Sequence, residues 1–399
     1  MKPIFSPDFP TSKKLTYAKA APPTDAVKII RAADASQEAI RKGDAFAQEI
    51  TDRMVGDFER AQDRMAHVST FLVVDDTVFM TYYANTKEPL EDPKNQTARL
   101  AYAPISDPQN KTILDLQTTG DTLGGKEIDM VYDTILMQKD SDTLMVLWTA
   151  RTTDENYYRF YCPFTVSTKT FGEIGVNRFK VGDVTNDFSA TGIRGALAEN
   201  ELPCKPMYSD IGIMQKITTR IENGETYYYT GAYSGDFTCI IKSRDFITWE
   251  YVSQPDFVNH SQWENATYVI GDKCYYLVRQ YCWKTEYEID PYAFLTVYDL
   301  NTGKWEPPVL IEDCQSRADM IMYNGELYAF HAPIDREHIG VLRIDTENIA
   351  NSEIVLQAKM QTSCFYPFVQ YYRDGELAMS YTINRQHVRL AEFTLSKYL

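Results

Sequence analysis

Residues 320–331 read MIMYNGELYAFH, and the fold turns on that stretch. An apolar run, the pair Asn324-Gly325 and a second apolar run form strand, turn and strand. Asn-Gly supplies the left-handed backbone that a two-residue hairpin demands, and the Tyr, Ile and Phe around it suit a pleated, half-buried surface. The same shape recurs in FLVVDDTVFMTYY (71–83), ILMQKDSDTLMVLW (135–148), ITTRIENGETYYYTGAY (217–233), TYVIGDKCYYLVRQ (267–280) and FVQYYRDGELAMSYT (368–382). Their turns are Asp75-Asp76, Asp140-Ser141, Asn223-Gly224, Gly271-Asp272 and Asp374-Gly375. A further strand follows in most cases, such as TARLAYAPI, YRFYCPFT, CIIKSRDF, AFLTVYDL, HIGVLRID and HVRLAEFTL. The turns at 224, 272, 325 and 375 lie 48, 53 and 50 residues apart, the range in which one supersecondary unit is used many times. Six units predict an all-β fold, a six-bladed β-propeller over residues 65–399.

Ahead of it, Ile29, Ile30, Ile40, Phe46, Ile50, Met54 and Phe58 recur at roughly helical spacing among charged residues between Thr24 and Arg64. Residues 1–64 therefore read as a partly helical N-terminal extension, and everything after it as strands.

Composition narrows the partners. The chain has 399 residues, 40 Lys and Arg against 56 Asp and Glu, and a formal charge of −16. A surface that negative repels phosphate backbones and anionic lipid, so nucleic-acid and membrane binding are not expected. An anionic small molecule is compatible only where arginines converge. An aromatic content of 13% fits many short strands and a sugar-lined cleft better than a helical bundle. Seven cysteines without a CxxC or other zinc-like pair predict reduced, mostly buried thiols. The start, MKPIFSPDFPTSKK, has no apolar h-region, and no apolar run nears the roughly 18 residues of a membrane span. A cytoplasmic protein is expected, although a trimmed secreted chain would read the same.

A propeller draws its site from one or two residues per blade at one mouth of the channel, so chemistry is sought at equivalent repeat positions. At those positions TSCFYPFVQYYRDGELAMSYTINRQHVRLAEF (362–393) resembles the last blade of the sialidase (neuraminidase) superfamily. QWENATYVIGDKCYYLVRQ (262–280) resembles its Glu-bearing blade, and SRADMIMYNGELYAFH (316–331) the blade after it. The likeness runs in blade order over about residues 65–399. It implies a retaining glycosidase with a tyrosine nucleophile, a glutamate partner, an aspartate acid/base and arginines clamping a carboxylate, an exception to the two-carboxylate scheme of most glycosidases. Carried over, Tyr366 in CFYPF is the nucleophile, Glu264 in QWENATYV its partner and Asp92 in EDPKNQTARLAYA the acid/base. Arg279, Arg317 and Arg385 form the binding set. No cofactor and no metal are implied.

Physical chemistry supports the pattern independently. A carboxylated sugar repels an Asp or Glu nucleophile at close range, whereas a neutral phenol avoids this. A phenol with pKa about 10 then needs a base within reach, which Glu264 supplies. Guanidinium meets carboxylate through two parallel hydrogen bonds. Each residue also has a plainer reading: Tyr366 as a strand residue, Glu264 as a buried carboxylate with a structural partner, the arginines as structural ion pairs, Asp92 as a turn former.

Two features depart from the family. Where the first blade carries an Arg-Ile-Pro motif, this chain reads MAHVSTF (65–71) and places His67, a hydrogen-bonding group or a base near neutral pH. The repeated turn motif S-x-D-x-G-x-T-W survives only as SRDFITW (243–249), which also resembles a motif of five-bladed glycosidases. His260, His331, His338 and His387 show no metal spacing, and no nucleotide-binding or hydrolase-elbow motif occurs. Trp263, Trp283, Tyr281, Tyr287 and Tyr292 offer sugar-stacking faces or core packing, and Asp129, Asp133 and Asp210 are further candidates for substrate contact.

The expected function is exo-hydrolysis of a terminal acidic, carboxylated or deoxy sugar, with a carbohydrate as the partner. Three readings stand beside it: a uronate lyase using His67 or a Tyr as base, a five-bladed glycosidase, and a non-catalytic glycan-binding propeller. Sugar, linkage and oligomeric state are not legible in the sequence.

Overall fold

The structure is a computed structural model that describes residues 4–5, 13, 16, 24–154, 156–205, 207, 211–235, 237–255, 264–279, 292–312 and 314–399. Of the residues singled out above, Asp210, His260, Trp263, Tyr281, Trp283 and Tyr287 lie outside the described residues.

The described strands form six sheets, mainly antiparallel, whose central strands succeed one another along the chain. Their cores are Met65–Val74 to Thr112–Thr118, Lys126–Gln138 to Tyr157–Thr165, Glu225–Ser234 to Thr248–Ser253, Asn265–Ile270 to Val309–Ile311, Asp319–Tyr323 to Glu353–Lys359, and Phe365–Tyr371 to His387–Phe393. Each expected turn joins two paired strands. At Asp75-Asp76, Asn223-Gly224, Asn324-Gly325 and Asp374-Gly375 both residues have positive φ, as a tight hairpin turn requires.

Six apolar clusters hold these sheets together, one in each gap between successive sheets. Phe79 and Leu100 meet Trp148 and Phe160 between the first and second. Phe71 and Met80 meet Phe368 and Leu390 between the first and the last. That last gap closes the ring, because Phe365–Tyr371 lies beside Met65–Val74. The expected β-propeller is therefore observed. Burying both faces of every sheet explains why the strands read as nearly continuous apolar runs.

The N-terminal segment is woven into the ring. Its helix α1 covers only Gln37–Asp52, capped by Ser36, whose Oγ accepts the Ala39 N–H at 3.0 Å. Phe46 and Ile50 pack between the fifth and sixth sheets. Gly43 lies so close to Glu353–Lys359 that a Cβ there would fall 2.2 Å from the Gln357 carbonyl oxygen. On either side the chain is extended: Lys28–Ile30 adds a parallel strand to the fourth sheet, and Met54–Asp57 becomes the outer strand of the last. The helical period expected over 24–64 holds only in its middle third, since sheet pairing overrides local spacing at both ends. Because the last sheet combines a strand from residues 54–57 with three from 365–393, hydrogen bonds fasten the ring where the chain has no covalent continuity.

A second helix, α2 (Ala190–Glu199), corrects the expectation of strands throughout. Its glycines weaken the helical signature. Gly192 is nevertheless required, since a Cβ would sit 2.0 Å from the Asp187 carbonyl oxygen. The shortened motif SRDFITW is a structural turn: Asp245 Oδ1 accepts the Ile247 and Thr248 N–H groups at 2.8 Å each, and Trp249 is buried. Cys162, Cys204, Cys239, Cys274 and Cys364 are buried thiols, and burial pushes Cys162 and Cys204 up to about 12. Among the described residues no helix is long and apolar enough to cross a membrane.

Candidate active site

Every sheet sends side chains to one polar cluster. Glu264 immediately precedes the innermost strand of the fourth sheet, and Arg279 follows the next strand, its N–H donating to the Glu264 carbonyl at 3.0 Å. The hairpin thereby places carboxylate and guanidinium side by side. Arg317 precedes the inner strand of the fifth sheet, Tyr366 lies in that of the sixth, His67 in that of the first, Asp133 in that of the second, and Tyr233 lies near the end of a strand of the third.

Three of these inner strands share a device. Their registers slip between His67 and Thr70, between Tyr132 and Ile135, and between Phe365 and Phe368. At the slips Val68, Asp133 and Tyr366 take positive φ of 51°, 52° and 55°. Such bulges re-aim side chains, and non-glycine residues in this region of backbone space gather at functional sites.

Glu264, 5% exposed, has both oxygens engaged. Oε1 accepts from Arg317 Nε at 3.0 Å and Nη2 at 2.7 Å, and Oε2 accepts from Arg279 Nη1. The same Arg279 Nη1 donates to the Tyr366 phenol oxygen at 3.2 Å. Tyr366 and Glu264, 102 residues apart in sequence, are thus joined through one guanidinium nitrogen. The Arg317 guanidinium carbon stands 5.1 Å from the Tyr366 ring centroid. Burial and the Glu264 charge raise the phenol's pKa, while Arg279, Arg336 and Arg317 oppose the rise. The resting nucleophile candidate is a neutral phenol.

Behind this trio, Asp133 Oδ1 accepts from Arg317 Nη2 at 2.7 Å, and Oδ2 from Arg159 Nη1 at 3.1 Å and the Tyr233 hydroxyl at 3.3 Å. Arg159 is fully buried and also donates to the carbonyls of Asp133 at 2.7 Å and Ile213 at 3.2 Å.

His67 packs edge-on against Tyr366 at 4.7 Å, and its Nδ1 lies 3.0 Å from Thr382 Oγ1. That oxygen also accepts the Val68 N–H at 3.2 Å, so one hydroxyl ties the His67 ring to the backbone at the bulge. Burial, then Arg385, Arg336, Arg317 and Arg279, holds the His67 pKa well below the usual range. His67 is a neutral hydrogen-bonding group here.

Buried His331 is also held down, to about 4, by burial. Both histidines have folded pKa values below the unfolded value near 6.5, so between these limits only the unfolded chain takes up the proton and stability falls as pH falls. Each costs about 1.4 kcal/mol per pH unit in that window. Urea unfolding at stepped pH should show the loss beginning just below 6.5, with a slope reduced in His67→Gln. A stability independent of pH from 6.5 to 5 would contradict the buried neutral assignment.

The remaining expected residues divide. Arg385 reaches the cluster, 2.8 Å from Glu91, and its charge acts on His67. Asp92 caps its own short turn, accepting from Lys94 N at 3.1 Å and Asn95 Nδ2 at 2.6 Å. The carboxylate of that loop bound into the cluster is its neighbour Glu91, which accepts from the Tyr83 hydroxyl at 2.6 Å. Asp129 is held by Arg151 at 2.9 and 2.5 Å. Sequence reasoning passed over Glu91, Tyr83, Arg159, Tyr233 and Arg336. Glu91 beside Asp92 in an acidic loop was the one available signal.

The propeller has a sialidase-like fold. The chain aligns over 85% of its length with the Hadza microbial sialidase Hz136, at 10% identity and TM-score 0.58, covering 67% of that chain. A Trypanosoma rangeli sialidase mutant displaying trans-sialidase activity aligns over 87% of this chain, at 13% identity and TM-score 0.52. This chain spans 57% of the length of that trypanosomal protein. The NanB sialidase of Streptococcus pneumoniae aligns over 87% of this chain and 70% of its own, at 9% identity and TM-score 0.52. No protein-family profile and no curated protein sequence matches the chain.

Proposed function

We propose that this protein is an exo-acting glycoside hydrolase for a terminal acidic sugar, working through Tyr366. The observation that carries the reading is the joined unit Tyr366–Arg279–Glu264–Arg317, in which a phenol, a carboxylate and two guanidiniums from three sheets share hydrogen bonds. The Tyr366 oxygen bonds to the anomeric carbon as the glycosidic C–O bond breaks, and the phenol proton passes to Glu264. Transfer to Glu264 requires Arg279 Nη1 to move aside, since that nitrogen now occupies the bridge between the two oxygens. Asp92 protonates the leaving oxygen, then takes a proton from the water that attacks the anomeric carbon; the tyrosyl C–O bond breaks and Glu264 returns its proton to the Tyr366 oxygen, restoring the phenol. For this role Asp92 must exchange its bond from Asn95 for the substrate.

The cluster suits an anionic substrate. Among the described residues, five guanidiniums, of Arg159, Arg279, Arg317, Arg336 and Arg385, gather with the carboxylates of Asp133, Glu264 and Glu91, an excess of two positive charges in a chain of net charge −16. Low dielectric at the mouth strengthens that preference.

The test is turnover across aryl glycosides of N-acetylneuraminic, glucuronic and galacturonic acids, with the anomeric configuration of the first product followed by NMR. Retention on an acidic substrate is expected. Absence of turnover together with measurable sugar binding would establish a glycan-binding propeller instead, and an unsaturated uronate absorbing in the ultraviolet would establish a lyase.

A further inference from the structure

Four guanidiniums act on Tyr366 or His67, and three of them are already committed. Arg279 is bonded to Glu264, Arg317 to Glu264 and Asp133, and Arg385 to Glu91. The fourth is Arg336. It stands in the loop between Glu326–His331 and His338–Ile344 of the fifth sheet and is half-buried. Its Nε donates to the Gln315 carbonyl at 3.0 Å, and its guanidinium carbon lies 5.0 Å from the Phe365 ring centroid. Its backbone carbonyl accepts the Cys364 N–H at 2.7 Å, which ties the loop to the strand bearing Tyr366. Phe365 in turn is 6.3 Å, ring to ring, from His67.

No carboxylate among the described residues pairs with Arg336. A guanidinium that is oriented through Nε and an aromatic face, with both Nη groups left over, is set up for a planar bidentate anion. Committed arginines serve that role less well, since a ligand carboxylate must compete with the protein's own for their donors.

We infer that Arg336, rather than Arg317 or Arg279, is the residue that receives the carboxylate of the ligand, and so sets the preference for acidic over neutral sugars. The inference rests on the cluster being a sugar-binding site, but not on its being catalytic.

The experiment measures binding apart from turnover. Calorimetric or saturation-transfer titrations compare N-acetylneuraminate, glucuronate and galacturonate with their methyl esters, using the full chain. In the wild type at least one acid should bind more tightly than its ester. Arg336→Gln should remove about tenfold to a hundredfold of acid affinity and leave the ester nearly unchanged, the worth of a charge-assisted pair of bonds. Arg336→Lys should restore part of the charge preference without the bidentate geometry. Exposed Arg343→Ala, on the outer part of the same sheet, should retain wild-type discrimination, and thermal unfolding of each variant checks that the fold persists. Discrimination retained in Arg336→Gln overturns the inference, as does a wild type that does not tell acid from ester. Loss of discrimination in a protein with no turnover at all upholds Arg336 while refuting the hydrolase reading.

Discussion

Tyr366→Phe should lower turnover of an acidic glycoside by about three to six orders of magnitude, the scale seen when an enzyme loses its nucleophile. The substitution removes one oxygen, which accepts from Arg279 Nη1 at 3.2 Å. The ring stays between His67 and Arg317, and the Ser316 Oγ still accepts the Tyr366 N–H at 2.7 Å. Arg279 keeps its bond to Glu264, so no buried charge is stranded. Folding stability should therefore change by less than about 1 kcal/mol, the net worth of one hydrogen bond. Mass spectrometry with a fluorinated acidic sugar should trap a covalent adduct on wild type and none on Tyr366→Phe. A variant that keeps a tenth of wild-type turnover would remove Tyr366 as nucleophile. Glu264→Gln adds a separate control: the phenol's raised pKa means the proton needs an acceptor, so turnover should fall there too.

The parts of this picture that the sequence carried are the local ones. Asn324-Gly325 and its counterparts announce hairpins because their φ values allow little else, and the spacing of those hairpins leads to the ring. Glu264, Arg279, Arg317 and Tyr366 sit at strand ends or inner strands, so repeat register brings them together. Other features depend on partners distant in sequence. Lys28–Ile30 is a strand only because Val309–Ile311 lies beside it, and Met54–Asp57 only because His387–Phe393 does. Asp92 and Glu91 are equally acidic loop residues, and what separates them is the position of Tyr83 and Arg385, 8 residues and nearly 300 residues away. Arg336 carries no motif. Its proposed role rests on the absence of a carboxylate partner among the described residues, which composition cannot reveal.

Asp133 carries the other large effect. Its carboxylate is the counter-charge for Arg159 and Arg317, both essentially inaccessible to water. Asp133 itself is 3% exposed and sits at a φ of 52°. Asn tolerates that backbone, fills the same volume and retains one acceptor, so Asp133→Asn isolates the charge. Arg159 keeps its bonds to the Asp133 and Ile213 carbonyls and to Thr149 Oγ1 at 2.9 Å, but loses the carboxylate paired with it among the described residues. Burial already pulls the Arg159 pKa down, with Asp133 the foremost opposing influence. Breaking such a buried pair costs about 3–5 kcal/mol. Against the roughly 5–15 kcal/mol stability of a typical domain, that is a large share. Urea unfolding should show the midpoint falling accordingly with an unchanged slope. A loss under about 1 kcal/mol would mean that the guanidiniums are solvated in the channel and that Asp133 is not their counter-ion. Turnover measured on the folded fraction should fall as well, because Arg317 loses one of the two carboxylates that hold it against Glu264 and the Tyr366 ring.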